Sequence, residues 1–151
     1  MERYTLHASI ARLEYERRRY LRAYFQTLNI PLGQGQPRIL AQLHRSGPSS
    51  QKELSAVCGI DESTVSRSVD RIAEAGLVQR TPDPACRRST RVALTPQGAA
   101  AAAKVVVAFE HEDAVLRTAL GGADEKAVIA TLSAMAGSSG LFWSMVARSC
   151  L

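Results

Sequence analysis

The 151-residue sequence lacks most of what a membrane span, a disulfide scaffold or a catalytic centre needs. No stretch approaches the roughly 20 consecutive apolar residues that cross a bilayer. The opening Met1-Glu2-Arg3-Tyr4 runs into charged amphipathic sequence without an apolar signal core, so no membrane association and a cytoplasmic location are expected. Three cysteines, Cys58, Cys86 and Cys150, are too few and too far apart for a disulfide framework or a Cys-x-x-Cys metal clip. His7, His44 and His111 are scattered, which argues against a metal site. His111-Glu112 opens like a metalloprotease motif, but position 115 is Val and no second histidine follows. There is no glycine-rich phosphate loop and no nucleophile elbow. Asp61 and Glu62 are explained by a helix N-terminus rather than by acid–base work. No enzymatic activity, cofactor or metal is expected.

What is present is a folded chain with an arginine bias. Hydrophobic residues make up 46% and charged residues 22%, which excludes disorder and suits one domain of this length. The net charge is +5, and 16 of the 19 basic residues are Arg. Such a bias favours an anionic partner held by hydrogen bonds as well as by the electrostatic field. Because the excess is spread over residues 1–96, the fold must decide where a positive surface lies.

Apolar periodicity predicts mostly helix. Leu6, Ile10, Leu13, Tyr20, Leu21, Tyr24, Phe25 and Leu28 recur at spacings of three and four, ended by Pro31 and Gly33. A second helix is expected over about 35–44 with Ile39, Leu40 and Leu43 inward, stopped by Ser46-Gly47-Pro48. Ser50-Gln51-Lys52-Glu53 reads as a capping box opening a short helix that buries Leu54 and Cys58 and stops at Gly59. Asp61 caps a helix over 62–74 whose inner face is Val65, Val69 and Ile72, and Gly76 is placed to terminate it. The period then changes. Residues 77–81 and 89–94 are short, β-prone segments separated by Pro82-Asp83-Pro84-Ala85-Cys86-Arg87-Arg88, a two-stranded ribbon with a basic tip. Thr95-Pro96 starts a helix running to about Leu120, broken by Gly121-Gly122, and a last helix begins near Asp124. The apolar run Leu141-Phe142-Trp143-Ser144-Met145-Val146 follows it.

A helix of about eight residues, a three-residue break at Gly59-Ile60-Asp61, a second helix and a β-ribbon is the order of a winged helix-turn-helix. With Val65, Val69 and Ile72 inward, the outer and flanking faces of the second helix carry Ser63, Thr64, Ser66, Arg67, Asp70 and Arg71. Short hydroxyls permit close approach to a DNA groove. Arg67 can pair bidentately with guanine or phosphate, whereas Arg71 is placed to meet a phosphate. A solvated polar face would look alike in isolation. The ribbon arginines Arg80, Arg87, Arg88 and Arg91 make the nucleic-acid reading the stronger one.

From Gly47 to Gly98 the sequence GPSSQKELSAVCGIDESTVSRSVDRIAEAGLVQRTPDPACRRSTRVALTPQG resembles the MarR family of bacterial transcriptional regulators. The resemblance implies a mainly α fold with a small β-wing. It comprises a winged helix-turn-helix region (35–96) and a helical dimerisation region (6–28 and 97–148) within one MarR-like domain over 1–151. It implies a homodimer that presents two reading heads to a pseudo-palindromic operator in double-stranded DNA, with contacts from Ser63, Thr64, Ser66 and Arg67 and, at the wing, Arg87 and Arg88. Release of DNA by small aromatic or phenolic ligands, or by cysteine oxidation, is common in such regulators.

One departure is visible: Cys86 stands where the family wing usually carries Asp, a carboxylate that steadies the wing through an arginine. Either Asp83 substitutes or the wing tip is looser, and Cys86 is either neutral drift or a thiol sensor. Arg17 interrupts the apolar stripe of the first helix. A guanidinium there must find an acid, a carbonyl or an anionic ligand. It serves either an interface ion pair or, with Tyr20 and Tyr24, an effector site. The leading function is a dimeric, ligand-modulated repressor; the alternative is a winged module for protein–protein assembly without a specific operator.

Overall fold

The computed structural model describes residues 5–27, 33, 35–84 and 86–137, with 86–89 described through the backbone. Six helices and one two-stranded sheet lie among them: α1 (Leu6–Thr27), α2 (Gln36–Ser46), α3 (Gln51–Cys58), α4 (Glu62–Glu74), β1 (Val78–Asp83), β2 (Cys86–Leu94), α5 (Pro96–Leu120) and α6 (Glu125–Gly137). The fold is therefore mainly α with a small β-wing. The chain divides into two compact units, Met1–Glu110 and His111–Leu151.

In the first unit, α2, α3 and α4 pack on one another and the ribbon packs on α2 and α4. Their apolar faces meet as the periodicity predicts: Ile39, Leu40 and Leu43 from α2, Leu54 from α3, and Val65, Val69 and Ile72 from α4 are buried. Val78 and Val92 close this core from the ribbon, with Ala101, Ala102 and Val105 from α5. Cys58 lies half-buried at its edge, its Sγ 3.7 Å from the Arg38 carbonyl oxygen. Burial pushes that thiol up, away from the reactive thiolate.

The helix ends follow their caps. Ser50 Oγ accepts from Glu53 N–H at 3.2 Å while Glu53 Oε2 accepts from Ser50 N–H at 2.7 Å, both halves of the expected box. Thr95 Oγ1 accepts from Gly98 N–H at 3.0 Å and so caps α5. Gly76, at φ +73°, turns the chain from α4 into β1, a backbone angle that a β-carbon disfavours.

One expectation changes. The segment 82–88, predicted to interrupt the strands, instead extends them: β1 continues to Asp83, β2 starts at Cys86, and Pro82 lies opposite Thr90. Proline is tolerated because β1 is a free edge, and the register shift between Pro82 and Asp83 absorbs the irregularity. On α1, the apolar stripe is largely uncovered within one chain. Phe25 is buried, but Leu6, Ile10 and Leu13 remain 67%, 38% and 48% exposed. In the second unit Ile129 and Leu132 on α6 are likewise exposed, and Arg117 Nε meets Glu125 Oε1 at 2.8 Å. The apolar run 141–146 lies outside the described residues. No described helix is long and apolar enough to cross a membrane.

Candidate nucleic-acid interface

The turn between α3 and α4 is closed by short hydrogen bonds. Ser55 Oγ donates to the Ile60 carbonyl at 2.6 Å, and Ile60 N–H donates to the Ser55 carbonyl at 3.2 Å. Asp61 then caps α4. Its Oδ1 accepts from Thr64 N–H at 2.8 Å and from the Ser63 hydroxyl at 2.5 Å. Those donors hold the Asp61 carboxyl far below the usual carboxylate range, led by the Ser63 and Thr64 side chains.

Along α4, Ser63, Arg67 and Arg71 are exposed at four-residue intervals and form one stripe opposite the buried Val65, Val69 and Ile72. Thr64 and Ser66 are half-buried on its flanks. Arg67 Nη2 donates to Thr64 Oγ1 at 3.2 Å, which orients the guanidinium along the helix. The structure thus brings five of the predicted contact residues onto one helix face and its margins.

The ribbon is anchored on both sides. Arg80 on β1 pairs with Asp70 on α4. Arg91 on β2 faces Asp83 Oδ2 and Glu53 Oε1, each at 3.5 Å, and donates to the Pro48 carbonyl at 3.1 Å. Next to Arg91, Val92 exchanges two backbone hydrogen bonds with Ser49, of 3.0 and 2.8 Å, adding a third short rung to the sheet. Asp83, expected to stand in for the missing wing carboxylate, therefore meets an arginine. Arg80 and Arg91, counted from sequence among the basic wing residues, are instead committed to carboxylates of the same chain. Sequence reading also missed the bond of Asp61 to the Ser63 hydroxyl and the ribbon-anchoring contacts of Glu53 and Asp70. Only Asp61 left a local signal, a hydroxyl residue two positions after an N-cap Asp. Arg87 and Arg88 occupy the start of β2, beside the Pro84-Ala85 connection. Their side chains, and that of Cys86, lie outside the described residues.

The suggested effector residues lie on one face of α1. Arg17, Tyr20 and Tyr24 are each half-buried, and the Tyr20 and Tyr24 ring centroids are 6.2 Å apart. A shallow depression on the same helix is lined by Ser9, Arg12, Leu13 and Glu16 and does not include Arg17. Among the described residues, no group of three or more His, Cys, Asp or Glu side chains could hold a metal ion.

Comparison with known proteins agrees with this geometry. The sequence pattern of the MarR family matches residues 29–89. Over 61 residues the chain is 44% identical to the HTH-type transcriptional repressor NicR of Pseudomonas putida, a match covering 40% of this chain and 39% of that protein's length. The S. aureus MepR–DNA complex superposes with a TM-score of 0.77 at 18% identity, covering 89% of this chain and 97% of the other. Bordetella bronchiseptica BpsR, whose DNA binding is regulated by 6-hydroxynicotinic acid, gives 0.65 at 24% identity, covering 92% and 96%. At these identities the two structural likenesses concern the fold alone.

Proposed function

We propose that this chain is a member of the MarR family of transcriptional regulators, a sequence-specific repressor that binds double-stranded DNA as a homodimer and is released by a small aromatic acid. The observation that carries the reading is the exposed Ser63–Arg67–Arg71 stripe on a capped helix beside a braced ribbon. A helix bearing short hydroxyls and arginine on one face fits the major groove, and a ribbon with Arg87 and Arg88 at the start of β2 suits a contact with the flanking backbone. An assembly module would need no such exposed arginines on its second helix. Selecting bound fragments from random DNA at defined salt tests the choice. Enrichment of two inverted half-sites about one helical turn apart is expected; no enrichment would favour the assembly module.

The uncovered apolar residues of α1 and α6 support a homodimer, because exposed apolar surface of this kind usually marks an interface. Sedimentation at micromolar concentration is expected to give the mass of two chains, and a monomer would overturn the assignment.

Wing bracing has an electrostatic signature. Removing a carboxylate near a DNA-binding face ordinarily strengthens binding by reducing like-charge repulsion. Here Asp83→Asn and Glu53→Gln are expected to weaken operator binding by about threefold each, since each loosens the Arg91 anchor of the ribbon. Titration of both variants against one operator decides; tighter binding would show that the anchor does not set the wing.

For the effector, the Arg17 guanidinium and the Tyr20–Tyr24 pair suit an aromatic carboxylate, one group for its charge and the other for its ring. Calorimetry with 6-hydroxynicotinate, benzoate and salicylate is expected to show saturable binding that Arg17→Ala weakens by at least about tenfold. Operator DNA must then lower ligand affinity by the same factor as ligand lowers operator affinity. Equal binding to a folded, dimeric Arg17→Ala protein would remove Arg17 from the site and leave it an interface ion-pair residue.

A further inference from the structure

A serine hydroxyl is an ambiguous reader of DNA, since it can donate or accept and so tolerates either kind of base edge. In this chain the ambiguity is removed. Ser63 Oγ lies 2.5 Å from Asp61 Oδ1, the separation of a charge-assisted O–H···O⁻ bond. An ionised carboxylate offers only lone pairs, so the proton of this bond belongs to Ser63 and points at Asp61. Thr64 is engaged as well: its N–H donates to the same oxygen at 2.8 Å, and its hydroxyl oxygen accepts from Arg67 at 3.2 Å. The exposed Ser63 oxygen therefore offers a partner its lone-pair side, with the donor Arg67 one turn further on.

We propose that Asp61 fixes the hydrogen-bonding polarity of the reading head, making Ser63 an acceptor that selects a base bearing an exocyclic amine, adenine N6 or cytosine N4, at its point of contact. Asp61 is then a positioning residue and Ser63 a specificity-determining one. In the major groove, guanine O6 and N7 and thymine O4 are acceptors and would face the Ser63 lone pairs unfavourably. Arg67, which only donates, is complementary to those same acceptors. The stripe therefore reads an amine and then an acceptor, in that order along α4. This inference rests on the DNA-binding function proposed above.

The test uses the full chain and the operator recovered by selection. Exocyclic amines are deleted one position at a time (adenine to purine, cytosine to pyrimidinone), and keto oxygens are deleted in a parallel series. One position in each half-site is expected at which amine deletion weakens the wild-type protein about fivefold while leaving Ser63→Ala unaffected. Asp61→Gly leaves a residue tolerated at an N-cap but removes the oxygen that takes the Ser63 proton. That variant is expected to tolerate reversal of the base pair at the same position within about twofold, where the wild type loses about fivefold. Its thermal midpoint, within a few degrees of the wild type, separates lost polarity from a lost cap. A Ser63-dependent effect of keto deletion, no Ser63-dependent amine at all, or wild-type discrimination by Asp61→Gly would each overturn the inference while leaving operator binding intact. Failure of the wild type to select any DNA would instead overturn the function on which it rests.

Discussion

Replacing Gly98 with alanine is expected to lower the thermal midpoint by about 10 °C, corresponding to about 3 kcal/mol for a chain of this size. A β-carbon at position 98 would lie 1.7 Å from the Leu77 carbonyl oxygen and 2.7 Å from its carbon. Both sides of this contact are backbone, so no side chain can rotate away. Neither segment can withdraw cheaply. Leu77 O accepts from Thr95 N–H at 3.1 Å, Leu77 N–H donates to the Ile72 carbonyl at 2.9 Å, and Thr95 Oγ1 donates to the Gly76 carbonyl at 2.6 Å. Relief of the clash would break the junction that joins the end of α4, the base of the ribbon and the start of α5. Gly137→Ala is the control, since nothing among the described residues lies within 4 Å of a β-carbon there. Calorimetric melting of the two variants checks the prediction, and an unchanged midpoint for Gly98→Ala would mean that the helix and strand do not meet this closely.

Arg67→Ala is expected to cost 1–3 kcal/mol of discrimination between operator and random DNA, roughly tenfold to a hundredfold, if its guanidinium reads a base. Its exposure in the middle of the α4 stripe and its hydrogen bond to Thr64 favour that role, because the side chain is already directed before DNA arrives. Arg88→Ala is expected to behave differently. A phosphate contact at the wing carries no sequence information, so both DNAs should weaken alike and the slope of log affinity against log salt should flatten by about one. Titrations of both variants on both DNAs across a salt series separate the two effects. Unchanged operator preference in Arg67→Ala would remove it from base readout, and selective loss of operator by Arg88→Ala would point to readout of minor-groove shape.

Legibility of the fold and site followed the range of the interactions involved. The caps at Ser50, Asp61 and Thr95 are bonds between residues three apart, and the inner face of α4 is a four-residue rhythm, so both could be read directly. The same locality exposed the outer face of α4, because identifying the buried residues of a helix leaves its outer ones by elimination. Tyr20 and Tyr24 were recognisable as neighbours for the same reason, although a helix face does not reveal what covers it.

The wing was only half legible. Its strands could be detected from β-prone composition, but not their length, since Pro82 argues against a strand unless it sits on a free edge with a shifted register. Arginine type alone also misled: Arg80 and Arg91 are as basic as Arg67, yet they pair with carboxylates ten, eight and thirty-eight residues away. By itself the sequence determined the helices, their caps and the residues available on the reading face, because those depend on hydrogen bonds and side-chain spacing within a few residues. The tertiary structure alone decided which arginines pair with carboxylates of the same chain, how far the ribbon extends, and why position 98 must be glycine. Each of these depends on a strand register and on backbone segments packed together across the fold, which no local pattern encodes.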